Sequence, residues 1–299
     1  MNTDISQAIN IVEFANTGND VGSNALSFYP RFQFDLGKVV SGASVSFNVN
    51  VRYGGADLLA PQDIVVNLAV DPTILTRYNL ENASNYVTPP AAIIAYPTTL
   101  TIKKGTSLAQ GVITVTNNAS FDFNAVYGLP LKISSATLGT ISKNFGSAIY
   151  SFAARNFWDG FYSLRTKHTG WAAFGILDGV PMDYPVGISL ITATGTANDL
   201  FNEYTGTYLL AGFSGPPAAA TQFGATTPRY TFNSSNQLTA VVNTTPNDGR
   251  NRTLRLDPAV TDSRYDPVTK KIYAAYIMGQ TGRPDFIYRD TLTFRNDRP

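Results

Sequence analysis

A period of two in the apolar positions runs through much of the chain and predicts β-strands. The clearest case has apolar side chains at Val45, Phe47, Val49, Val51 and Tyr53. The positions between them are polar, so this strand is predicted to have one face in a core and one in water. Similar or β-branched runs occur at 9–14, 32–36, 64–70, 100–102, 112–116, 127–133 and 148–152.

One helix interrupts this pattern in the first half of the chain. Asp71 is typical of a helix N-cap, and Pro72 is typical of the first helical position. The helix is expected to run to about Asn82. Seven to nine short strands with long loops fit an antiparallel sandwich of immunoglobulin type. Residues 1–155 are therefore predicted to form an Ig-like β-sandwich.

A second domain is predicted to begin at Asn156. The pattern aromatic-x-Gly-x-Tyr-x-Leu occurs at 158–164 and again at 204–210. It indicates a bend that leads into a half-buried strand. Strands are predicted at 161–166, 171–176, 188–194, 206–213, 229–232, 238–243, 253–256, 271–278 and 290–294. Turns are predicted between them, including Asn198-Asp199. About eight strands joined by hairpins over 156–299 favour an up-and-down antiparallel β-barrel.

The composition narrows the possible functions. Charged residues are only 14% of the chain and the net charge is +1, so bulk electrostatic capture of nucleic acid is not expected. The chain has no cysteine, which excludes disulfides, thiol catalysis and cysteine-ligated zinc. No stretch of about 18 apolar residues predicts a transmembrane helix, and no signal peptide precedes the body.

Charge is uneven along the chain. Residues 1–155 hold nine basic and nine acidic side chains, residues 156–249 hold three and six, and residues 250–299 hold ten and six. The excess of four positive charges in the last segment has two interpretations. It reflects either charged strand faces that pair across neighbouring strands or a basic patch for an acidic ligand.

Catalytic and metal-binding patterns are absent from the sequence. His168 is the only histidine and is predicted to lie at the surface in a polar hairpin turn. No nucleophile-elbow, phosphate-loop or zinc-protease pattern occurs. A glycosidase needs two carboxylates about 5–10 Å apart, and the candidates are Asp159, Asp178, Asp183 and Glu203. Nothing in their spacing brings them together, so no catalytic residue, metal or cofactor is predicted.

Several ordered motifs carry a family resemblance that spans nearly the whole chain. They are Ile64–Asp71, Tyr78–Leu80, Leu100–Gly105, Tyr127–Ile133, Asp159–Tyr162, Asn251-Arg252 and Tyr265–Lys270. In this order they resemble the DUF1735-type surface lipoproteins of Bacteroidota. The resemblance implies an immunoglobulin-like N-terminal domain followed by a lipocalin-like β-barrel domain.

The resemblance also implies a role at the cell surface. Such proteins accompany SusC/SusD-type outer-membrane importers and bind glycans, while some relatives carry a glycosidase domain that this chain lacks. The expected protein is thus a non-catalytic, lipid-anchored outer-membrane protein of polysaccharide utilisation, although the chain has no anchoring cysteine. A structural accessory subunit that binds no glycan is one alternative, and a glycoside hydrolase with an unrecognised carboxylate pair is another.

Aromatic side chains are the candidate ligand-binding groups, since sugar rings pack on flat aromatic faces and their hydroxyls bond to polar groups. Trp171, Tyr184 and Tyr204 are predicted as the ligand-binding residues. Trp158 is expected to pack at the domain junction instead.

Overall fold

The architecture comes from a computed structural model, and the chain forms two compact units, Met1–Ala154 and Arg155–Pro299. Both units are built mainly of strands. The structure describes residues 9–15, 20–21, 29–170, 185–208, 210–214, 219–223, 226–245 and 250–298. Within these residues, no helix has the length and apolarity needed to cross a membrane.

The first eleven strands form two sheets. The strands are β1 (Ile11–Phe14), β2 (Asp20–Val21), β3 (Arg31–Lys38), β4 (Ser44–Gly54), β5 (Ile64–Val70), β6 (Ile94–Ala95), β7 (Thr99–Ile102), β8 (Leu108–Thr116), β9 (Tyr127–Ala136), β10 (Thr140–Ile141) and β11 (Ser147–Arg155). One sheet has the order β10-β1-β4-β8-β6 and the other β2-β3-β11-β9-β5-β7. This arrangement confirms the β-sandwich that the alternating pattern predicts.

One apolar core lies between these two sheets. Val49 and Val51 on the inward face of β4 are fully buried, as is Leu131 of β9. Phe34 of β3 stacks on Phe47 of β4 with 4.1 Å between ring centroids, which joins the two sheets. The apolar residues that alternate along the strands of both sheets therefore pack into one shared core.

The predicted helix is confirmed as α1 (Pro72–Asn82). The Asp71 carboxylate accepts a hydrogen bond from the Thr73 amide at 3.1 Å and pairs with the Lys132 ammonium at 2.9 Å. These contacts lower the pKa of Asp71 to about 2, first through the hydrogen bond from Lys132. Left-handed Ala83, with φ 48°, ends the helix.

The second unit contains the remaining eleven strands. They are β12 (Gly160–Thr169), β13 (Val186–Thr192), β14 (Ala197–Asn202), β15 (Leu210–Ser214), β16 (Ala219–Phe223), β17 (Pro228–Phe232), β18 (Leu238–Asn243), β19 (Thr253–Leu256), β20 (Arg264–Asp266), β21 (Lys271–Gly279) and β22 (Phe286–Asn296). The main sheet has the order β18-β17-β14-β13-β12-β22-β21-β19, with β20 beside β21. Strands β15 and β16 form a separate hairpin.

The main sheet curls into a nearly closed barrel. The first strand, β12, pairs with the last, β22, so that Thr166 lies opposite Asp290. The Tyr230 hydroxyl of β17 reaches Asp290 of β22 at 3.2 Å, although three strands separate β17 from β22 in the sheet. At the far edge the Leu238 amide donates to the Ser263 carbonyl at 2.9 Å. The predicted lipocalin-like antiparallel barrel is thus confirmed.

Two predicted elements of this unit differ from the structure. Asn198-Asp199 was expected as a turn, but both residues lie within β14. The reason is that the Asn198 side chain is buried and bonded to the Asn156 amide at 3.0 Å, a tertiary contact that overrides turn propensity. The strand expected at 206–213 begins only at Leu210, because Gly206, with φ 68°, belongs to a turn.

Candidate functional site

Tyr204 is the predicted binding residue that the structure places at the surface, with 81% of it exposed. It lies in a turn that follows β14. The Asn202 side-chain oxygen accepts the Tyr204 amide at 3.0 Å and the Thr205 amide at 3.3 Å. The Asn202 backbone N–H in turn donates to the Thr207 backbone carbonyl at 2.9 Å. The turn therefore holds an exposed ring on a hydrogen-bonded backbone.

Further aromatic rings lie on the outer face of β12, β13 and β14, beside this turn. Register places Phe161 of β12 opposite Ser189 of β13, and Ser189 opposite Phe201 of β14. Since neighbouring strands are about 4.8 Å apart, the two phenylalanines are about 10 Å apart across the sheet. Tyr208 packs edge-on against Phe201, with 5.1 Å between ring centroids, and stays 41% exposed.

The surface is low at Gly187, which lies next to Phe161 and Glu203. Gly187 has no side chain; a Cβ there would lie 3.6 Å from the Phe161 ring and 3.7 Å from Cβ of Glu203. The Ser189 hydroxyl is buried and donates to the exposed Glu203 carboxylate at 2.5 Å, which positions that carboxylate. We call the residues Phe161, Gly187, Ser189, Phe201, Glu203 and Tyr208 the lateral surface.

The lateral surface has the chemistry of a sugar-binding face. Flat rings can pack on the apolar faces of pyranose units, and the Glu203 carboxylate can accept hydrogen bonds from hydroxyls. Tyr204 was predicted from the sequence, whereas Phe161, Phe201 and Glu203 were not predicted as parts of one surface. The period-two pattern was the available signal, because it puts Phe161 on the face opposite buried Tyr162.

The other predicted binding residues give different outcomes. Trp171 and Tyr184 lie outside the described residues, and so do Asp178 and Asp183. Trp158 is buried in the barrel core, stacked on Phe232 with 4.7 Å between ring centroids.

The prediction that His168 lies at the surface is wrong. His168 is 1% exposed and occupies the inward face of β12, opposite Tyr288 of β22. The strand continues to Thr169, so the period-two pattern that buries Tyr162 and Leu164 also buries Thr166 and His168. The polar residues around His168 suggested a turn. The better signal was that His168 and Tyr162 are an even number of residues apart, which puts both on the same face of a strand.

A carboxyl group that the sequence analysis missed lies in the middle of the barrel. Asp290 is buried and accepts hydrogen bonds from Tyr276 at 2.6 Å and from Tyr230 at 3.2 Å. Burial raises the pKa of Asp290 to about 6, and hydrogen bonds from Thr166, Tyr276 and Tyr230 oppose that rise. Tyr276 and Tyr288 stack in parallel with 4.8 Å between centroids.

The end of the barrel at which β12 begins is closed by a polar network. Asp159 is 0% exposed and pairs with Arg298 through contacts of 2.8 and 3.0 Å. Its carboxylate also accepts the Thr192 amide at 2.8 Å and hydroxyl at 2.7 Å. The hydrogen bond to Asp159 is the largest effect raising the pKa of Arg298, and the charges of Tyr208 and Glu203 add to it.

Three of the described carboxylates lie in different surroundings. Asp159 is bonded to Arg298 at the closed end, Glu203 lies on the outer face, and Asp290 is enclosed by tyrosines. No group of three potential metal ligands occurs among the residues that the structure describes. The lateral surface is therefore suited to recognition through ring packing and hydrogen bonds.

Comparisons with known proteins agree with this architecture. Residues 21–139 match the model of a family described as an N-terminal domain. A Bacteroides ovatus protein of unknown function is 14% identical over 96% of this chain and 95% of its own, with a TM-score of 0.58. A search of curated proteins finds no match.

Two further similar structures also come from Bacteroides. A multidomain protein including DUF1735 from Bacteroides ovatus is 14% identical over 95% of both chains, with a TM-score of 0.47. An auxiliary nutrient binding protein from Bacteroides thetaiotaomicron is 14% identical over 88% of this chain and 90% of its own, with a TM-score of 0.42. Most of the N-terminal unit, residues 21–139, thus matches this N-terminal-domain family, and the similarity to the first Bacteroides ovatus structure shows the same fold.

Proposed function

We propose that the protein is a non-catalytic carbohydrate-binding protein of the cell surface, which holds a glycan on the lateral surface of its barrel. The observation that carries the proposal is the row Phe161–Ser189–Phe201, flanked by exposed Tyr208 and Glu203. Rings about 10 Å apart, with the exposed Glu203 carboxylate beside them, suit the alternating apolar and polar faces of a sugar chain. Tyr204 is the adjoining exposed ring.

The wider setting of the proposal follows from the family. We propose that the chain serves an outer-membrane nutrient-uptake system, is held at the cell surface by a lipid anchor, and works beside a SusC/SusD-type importer. The Ig-like sandwich would then act as spacer and docking module, and the barrel would carry the ligand. The nutrient-binding description of one Bacteroides neighbour applies to that protein and is consistent with this role.

A glycan panel in affinity gels tests the proposal with the variant Tyr208→Ala, since Tyr208 belongs to the lateral surface and is 41% exposed. Loss of one stacked ring should weaken binding of a retained glycan about two- to tenfold, since an aromatic contact contributes about 0.5–1.5 kcal/mol beyond its buried area. Phe145→Ala is the matched control, because Phe145 is 42% exposed in the sandwich unit. Equal retention of both variants would contradict the assignment of the lateral surface.

The second candidate function is a structural accessory subunit that binds no glycan. Its expected result is uniform lack of retention across all polysaccharides, together with co-purification of a large membrane protein. The third, a glycoside hydrolase, predicts turnover that Glu203→Gln abolishes. Glu203 is exposed, whereas Asp159 is buried and paired with Arg298, which favours binding over hydrolysis.

A further inference from the structure

The outer face of the barrel continues from the lateral surface onto β12, β22 and β21, where it becomes basic. Arg165 and Lys167 are exposed on β12, Arg295 is exposed near the end of β22, and Lys271 is partly exposed on β21. Every outward position of these three strands is basic, neutral polar or apolar. Part of the basic excess of the last fifty residues thus lies on the outer face of β22 and β21.

Cross-strand register brings these cations close to each other. Lys167 lies directly opposite Arg289, a like-charged pair that destabilises a sheet unless an anion offsets it. Asp257, buried beside the strands, pairs with Arg289. Lys271 lies opposite Thr293 on the neighbouring pair of strands. Cross-strand charge pairing, one of the two interpretations of the basic excess, therefore explains Arg289, which Asp257 neutralises, but places no anion directly opposite Lys167 on β22.

The basic face is continuous with the aromatic one. Arg295 donates to the Ser163 hydroxyl at 2.5 Å, and Ser163 is the next outward residue of β12 after Phe161. The Arg295 guanidinium therefore lies about one row of side chains away from the Phe161 ring of the lateral surface. Arginine recognises carboxylate and sulfate groups well, because its planar fork donates two parallel hydrogen bonds.

We propose that the glycan bound by the lateral surface is an acidic polysaccharide, whose carboxylate or sulfate groups lie over Arg295, Lys167 and Lys271. This inference rests on the proposed function and specifies its ligand class. Glu203 lies on the far side of Phe161, toward β14, so the uncharged faces of the sugars pack there and the acidic groups lie over β12 and β22. One chain of sugars crosses both regions.

The test compares acidic polymers with neutral forms of the same backbone. Polygalacturonate, alginate and hyaluronate are each measured beside their carboxyl-reduced counterparts by affinity gel and calorimetry. At least one acidic form is expected to bind more tightly than its reduced form at 0.05 M salt. That preference should disappear near 1 M salt, where the screening length falls to about 3 Å.

Variants locate the effect on the protein. Lys167→Gln with Arg295→Gln should weaken acidic-polymer binding roughly two- to fivefold per charge, the range for exposed ion pairs. Binding of the reduced polymer should not change. Lys104→Gln is the control, since Lys104 is an exposed lysine of the sandwich unit. Thermal unfolding of each variant establishes that the barrel is intact.

The outcomes separate this inference from the function on which it depends. If acidic and reduced polymers bind equally and Tyr208→Ala abolishes both, the acidic ligand class is overturned but the proposed glycan binding stands. No binding to any polymer would overturn both. Capture of dextran sulfate as strongly as any uronate, unaffected by Tyr208→Ala, would show non-specific polyanion attraction and also overturn the inference. Selective loss in the double variant supports it.

Discussion

Replacing Arg298 by Met should destabilise the barrel unit, because it leaves the Asp159 carboxylate buried without its cation. The Arg298 guanidinium makes two contacts to Asp159, at 2.8 and 3.0 Å, and Asp159 is 0% exposed. Removing one partner of a buried ion pair costs about 3–5 kcal/mol. The Arg298 side chain is 26% exposed and the two Thr192 donors remain, so a value of about 3 kcal/mol is expected.

A double-mutant cycle in urea unfolding measures this contact. Asp159→Asn alone should cost less than Arg298→Met, about 1–2 kcal/mol, because the amide still accepts from Thr192 and the remaining cation can reach water. The double variant should be no less stable than Arg298→Met, since the stranded carboxylate is gone. A loss below about 1 kcal/mol for Arg298→Met would refute the argument that this pair closes the barrel end.

Two further predictions concern titrating groups. The pKa of Asp290 rises from 3.8 to about 6 on folding, so its contribution to stability falls as pH rises from about 4 to about 6. Asp290→Asn should remove about 3 kcal/mol of this pH dependence of the unfolding free energy. Identical pH profiles of the two proteins in urea unfolding would contradict the prediction. The pKa of Asp71 falls to about 2, so its contribution is present above about pH 4 and is lost as pH falls toward 2. Asp71→Ala should cost about 0.5–2 kcal/mol at pH 7, and an unchanged midpoint of unfolding there would count against its capping role.

The sequence predicted strands well wherever burial alternates on a surface shared with one core. The observed bounds of β18 (Leu238–Asn243) and β19 (Thr253–Leu256) coincide with the predicted ones, and α1 was identified by its Asp71 cap. In these segments local pattern and tertiary packing favour the same conformation. No distant contact was needed to recognise them.

Elements that depend on distant partners were missed. Nothing near Asn198 in the sequence reveals that its side chain bonds to Asn156, 42 residues earlier, and so β14 appeared to be a turn. Asp290 was within a predicted strand, but its tyrosine partners come from β17 and β21 and could not be assigned to it. The aromatic row of the lateral surface likewise required the register of three strands.

The central claim, that a glycan lies across the outer face of β12, β13 and β14, is tested most directly by amide chemical-shift mapping during a glycan titration. Shifts are expected at the amides of Phe161, Gly187, Ser189, Phe201 and Glu203. They should extend to Lys167 and Arg295 only with an acidic glycan. Saturable shifts confined to the sandwich unit, or to the interior around Asp290, would contradict the account.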